Sequence, residues 1–154
     1  MNRLRSSPAP PFPLIHVFNS QRALRIDVAL LAVFAQEALR TCCRIPGRVG
    51  GLRAFQELST VLVSDRRMAE LHWRFLRVRG PTDVLTFEHG EIVISTETAR
   101  RNAARFHTSA DHEIRLYLIH GLLHLHGFDD RTAAPARVME KAQTRILVTL
   151  SKSH

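Results

Sequence analysis

Residues 118–132 read LIHGLLHLHGFDDRT: three histidines, two glycines and two aspartates set in an apolar run. Apolar runs build cores, and histidines inside a core need partners. His120 and His124 are four apart, so on a helix their side chains share one face. Two imidazoles at that spacing can bind one ion between them. Gly127 then stands where a glycine can turn left-handed and stop the helix, and Asp130 follows three residues later. The pattern H-x-x-x-H-x-x-G-x-x-D repeats the spacing of the long zinc signature H-x-x-x-H-x-x-G-x-x-H, with a carboxylate in third place. Two histidines and a carboxylate leave one coordination position open, the arrangement of a catalytic site rather than a closed structural one.

Two histidines at this spacing are more often packed side chains bonded to their surroundings. The glycine and the acid at the right offsets favour a metal site built from His120, His124 and Asp130. Asp129 is the competitor for the third place. His126, two residues past His124, points roughly 200° around a helix and is not expected as a co-ligand. His16, His107 and His112 show no comparable spacing and read as surface or supporting residues. Zinc peptidases of this spacing carry a general-base glutamate directly after the first histidine. Here that place is Gly121, so peptide cleavage loses its base.

The bulk numbers point to a different substrate. The chain has 154 residues, 45% of them hydrophobic, enough for one domain with a sizeable core. Its formal net charge is +8, in excess arginine. Arginine favours bidentate contacts to phosphate, so the expected partner is a polyanion, nucleic acid first. The competing explanation is arginine-rich usage without a partner. Cys42 and Cys43 are adjacent and cannot form a disulfide framework; they read as buried helix residues in a reducing compartment. No apolar run is long enough to span a membrane. The N-terminal MNRLRSSPAPPFP lacks the apolar stretch of a secretory signal, and residues 1–12 read as a disordered arm before a single domain over 13–154.

Hydrophobic patterning gives the order β-α-β-α-β-β-α-α-α. LIHVFN (14–19) is a strand, and Leu24, Val28, Leu31, Ala35 and Leu39 mark a helix over 22–40. FQELSTVLVSD is a strand and RRMAELHWRFL a helix capped by Ser64 or Asp65. TDVLTF and GEIVIS are strands joined tightly through EHG. STETARRNAARF opens on a capping box, the histidine helix begins at Ser109 or Asp111, and a last helix runs over about 134–150. Such an order gives an α+β fold with helices packed on a small sheet.

PTDVLTF, GEIVIS and HGLLHLHGFDD resemble, in order and spacing, the signatures of the YbeY family, bacterial rRNA maturation factors that are single-strand-specific, metal-dependent endoribonucleases. The resemblance runs from about Val61 to Leu147. It implies a small mixed β-sheet flanked by helices, zinc-dependent and hydrolase-like, with one Zn²⁺ per chain at the end of a cleft. It also implies a cytoplasmic protein acting on rRNA of the small ribosomal subunit, in 16S rRNA 3′-end maturation and ribosome quality control. The family's first two metal ligands fall on His120 and His124. Its third, a histidine, falls on Asp130, whose charge lowers the Lewis acidity of the ion. Glu113 matches a family glutamate and shares the ligand face, two turns earlier, as a candidate catalytic or supporting residue; a solvated helix glutamate is the alternative. The family's asparagine and arginine before PTDVL fall on His72 and Leu76. Arg74, Arg77 and Arg79 lie close by, and Arg77 is the candidate for the phosphate-binding role. Thr82 and Asp83 are turn-capping residues or part of the cleft wall. Two other readings stay open, a non-catalytic zinc-containing ribosome-assembly factor and a metal-dependent hydrolase of another substrate. The attacking oxygen could come from water or from the RNA's own 2′-hydroxyl.

Overall fold

The structure is a computed structural model and describes residues 11–152. The arm expected over 1–12 lies outside the described residues except at its end. There Phe12 sits under the guanidinium groups of Arg53 and Arg44, at 4.7 and 5.7 Å from its ring centre.

Four strands form one mixed sheet in the order β1-β2-β4-β3. β1 (Leu14–Asn19), β2 (Glu57–Val63) and β4 (Glu91–Ser95) run parallel, and β3 (Val84–Phe87) pairs antiparallel with β4. Side chains alternate along these strands, so the two faces bury different residues. Leu58, Leu62, Ile92 and Ile94 enter the main core, whereas Val63, Leu85 and Val93 meet Met68 on the other face. The smaller layer is covered by α2 (Asp65–Leu76), capped by the Ser64 side chain.

The main core lies under α1 (Val28–Cys43) and α4 (Ala110–Leu125), with α5 (Ala133–Lys152) packed on α4 and α3 (Thr96–Phe106) beside it. α4 is buried along most of its length, from Ile114 to Leu125. It reaches the sheet because of Gly121, where a Cβ would stand 2.8 Å from Cγ2 of Ile92. A glutamate after the first histidine therefore has no room here.

The element order, the α+β class and the mixed sheet agree with expectation. One helix differs. The periodicity suggested a start at Arg22, but α1 begins at Val28, capped by Asp27, whose side chain accepts from Leu30 N–H. Upstream, the Gln21 amide accepts from Leu24 N–H and donates to its carbonyl, holding a turn that competes with helix. A 3₁₀ turn over Gly51–Ala54 carried no sequence signal. Cys42 and Cys43 are buried as expected, and burial pushes the Cys42 thiol up to about 12.

Candidate metal centre and cleft

α4 ends in a way that serves the site. Gly127 has φ of +107°, Phe128 N–H donates to Leu123 O, and Gly127 N–H donates to His124 O. These two bonds form a Schellman motif, which turns the chain back toward the histidines. His126 faces away: its Nδ1 accepts from Leu52 N–H at 3.1 Å and its Nε2 donates to Ile45 O at 2.7 Å. It clamps the loop between α1 and β2 onto the end of α4, in line with the expectation that it is not a co-ligand.

His120, His124 and Asp130 come together. Nε2 of His120 and Nε2 of His124 lie 3.1 Å apart, and Oδ2 of Asp130 lies 3.5 and 3.4 Å from them. A tetrahedral ion with bonds of about 2.0–2.2 Å holds neighbouring ligand atoms about 3.3–3.6 Å apart. The observed triangle fits that edge closely, and the donor set suits a small cation. The tautomer fits as well. Nδ1–H of His120 donates to Oε1 of Gln143 on α5 at 2.8 Å, which leaves the Nε2 lone pair free toward Asp130.

Asp129 is engaged elsewhere. Its carboxylate accepts from the Arg131 side chain at 2.7–3.0 Å and from Arg131 N–H at 2.9 Å. Those hydrogen bonds from Arg131 pull its pKa down to about 2. The three clustered residues open into a cleft of about 510 Å³, whose lining includes Leu76, Thr86, Glu88, Arg48 and Arg131.

Glu113 and Arg77 do not line this cleft. Glu113 is buried near the start of α4, about 10 Å along the axis from His120, and accepts from the Thr108 hydroxyl at 2.6 Å. Arg77 closes α2 in a left-handed conformation. Its guanidinium and that of Arg79 sit 5.5 and 5.7 Å from the exposed Trp73 ring, while Arg74 covers Phe75. This basic, aromatic surface adjoins the cleft through Leu76. Asp83 caps the turn into β3, accepting from Val84 N–H at 2.7 Å, and neither it nor Thr82 is among the cleft residues. Arg48, Glu88, Arg131 and Gln143 were not found by sequence reasoning. They come from separate elements, and no spacing ties them to the histidines.

Fold and site together define a class of α+β proteins with an open cleft in which two histidines and an aspartate stand close enough to hold a cation. Residues 16–151 match the family described as Endoribonuclease YbeY, and the chain belongs to that family of endoribonucleases. An Endoribonuclease YbeY of Treponema pallidum (strain Nichols) is 37% identical over 106 residues, covering 59% of this chain and 66% of the relative's own length. One from Frankia casuarinae is 30% identical over 158 residues, covering 88% of this chain and 73% of the relative. The fold is similar to the solution structure of TM1509 from Thermotoga maritima, with a TM-score of 0.62 at 23% identity, covering 90% of each chain.

Proposed function

We propose that this chain is a zinc-dependent, single-strand-specific endoribonuclease of the cytoplasm, acting on the small ribosomal subunit in 16S rRNA 3′-end maturation and ribosome quality control. The observation that supports it most is the 3.1–3.5 Å triangle of His120, His124 and Asp130 in an open cleft, in a chain of an endoribonuclease family.

In this reading the two histidines and Asp130 hold one zinc ion. When bound, the ion supplies positive charge beside a phosphate and lowers the pKa of water toward about 7. Gln143 fixes the His120 ring so that its lone pair faces the centre. Asp130 adds a negative charge that offsets part of the ion's. Arg74, Arg77 and Arg79, stacked on exposed aromatic rings, form a surface suited to a single strand, where charge meets phosphate and ring meets base. Arg77 thus binds substrate outside the cleft. Glu113 supports the N-terminal end of α4 through Thr108 and carries no proton to the substrate.

The test is cleavage of single-stranded RNA, and of a duplex of the same sequence, by the purified protein with and without a chelator. Cleavage of the single strand alone, abolished by the chelator and restored by zinc, supports the reading. RNA binding without cleavage under all conditions would instead indicate an assembly factor.

A further inference from the structure

The cleft sets three carboxylates against few free cationic side chains. Glu88, Asp129 and Asp130 line it against two arginines, Arg48 and Arg131. Arg131 is committed to Asp129 through three side-chain bonds of 2.7–3.0 Å. Leu76, also in the lining, offers no charge. Among the described residues Arg48 makes no ion pair. Its guanidinium has one long bond, from Nη2 to Leu125 O at 3.4 Å, so most of its five N–H donors are free.

The backbone nevertheless places Arg48 with care. Its N–H donates to His126 O at 3.0 Å. A Cβ on Gly127 would stand 2.8 Å from Cβ of Arg48, and one on Gly47 would stand 2.4 Å from His126 O. Two glycines therefore let this loop press onto the turn between His124 and Asp130. The contact with Leu125, directly after His124, holds the guanidinium at the level of the second histidine.

We infer that Arg48 is a substrate-phosphate ligand of this cleft, gripping a phosphate of a single-stranded RNA next to the one held at His120, His124 and Asp130. The inference rests on the endoribonuclease reading above. A guanidinium fork matches two phosphate oxygens, and Arg48 is the arginine of this cleft whose donors are not already committed to a carboxylate. The rival role is purely structural, an arginine resting on the last carbonyls of a helix.

The experiment compares wild type, Arg48→Met and Arg48→Lys, using a labelled single-stranded oligouridylate. Anisotropy gives affinity across a salt series, initial rates give KM and kcat, and zinc content and Tm are measured on the same samples. Arg48→Met is expected to weaken binding and raise KM about tenfold and to lower the salt slope by about 0.7. Its zinc content and Tm should stay at wild-type values. Arg48→Lys should recover part of the affinity and the whole slope. Unchanged affinity and slope in zinc-loaded Arg48→Met overturn the inference, and a lowered Tm with unchanged affinity assigns the helix-end role instead. A wild type that neither binds nor cleaves the oligouridylate refutes the endoribonuclease reading itself, and the assignment of Arg48 with it.

Discussion

Gln143 accepts the Nδ1–H of His120 at 2.8 Å, across the contact between α5 and α4. The bond fixes both the tautomer and the orientation of the ring. Gln143→Leu keeps the packing volume and removes the acceptor, so zinc affinity should fall about 10- to 100-fold with little change in fold. Competition against a chromophoric chelator measures it. Equal affinity in the variant would show that His120 is oriented by packing alone.

Asp130 and Asp129 are neighbours with different partners, the histidines for one and Arg131 for the other. Asp130→Ala should weaken zinc binding strongly and Asp129→Ala much less. Asp130→His should still bind, since imidazole is an equally good ligand. A zinc titration of the three variants decides it. Metal lost from Asp129→Ala and kept by Asp130→Ala would move the third ligand by one residue.

Gly127 is needed twice, for its φ of +107° and for the approach of Arg48, whose N would lie 2.9 Å from an added Cβ. Gly127→Ala should cost about 2 kcal/mol, roughly 4–8 °C in Tm for a chain of this size. Zinc affinity should fall with it, because the same turn carries Asp130. Calorimetry and the zinc titration test the two effects separately.

Asp65 joins α2 to α3. Burial alone would raise its pKa, but hydrogen bonds from Arg101, Ser95 and Thr98 outweigh that and hold it below the ordinary carboxylate value. A depressed folded-state pKa means the network's stability is present above the ordinary carboxylate pKa and is lost as pH falls through the folded value. Wild type should lose Tm below about pH 4 more steeply than Asp65→Asn, which lacks the titrating group. Parallel slopes would remove Asp65 from the acid response.

On the surface beside the cleft, replacing Arg74, Arg77 and Arg79 by alanine should reduce RNA affinity and its salt slope together. Trp73→Ala should reduce affinity and leave the slope alone, because stacking carries no charge. Affinity and slope intact in the triple variant would place the RNA path elsewhere.

Much of this was legible in the chain, for local reasons. Strand β1 and helix α4 announce themselves by periodicity and caps, and the spacing from His120 to Asp130 lies within one helix end and its turn. Where one side chain intervened, the pattern misled: Gln21 holds a turn that periodicity alone cannot see, so α1 starts six residues later than Arg22. Arg48 and Gln143 were invisible because tertiary packing, not spacing, brings them to the histidines. Glu113 shows the reverse. It lies on the ligand face by helical arithmetic, yet two turns of helix leave it with Thr108.

The central claim is that His120, His124 and Asp130 hold an ion, and elemental analysis tests it most directly. Wild-type protein purified without added chelator should contain about one zinc per chain, and His124→Ala, folded as judged by circular dichroism, should contain close to none. An unchanged zinc content in His124→Ala would contradict a metal centre at these residues.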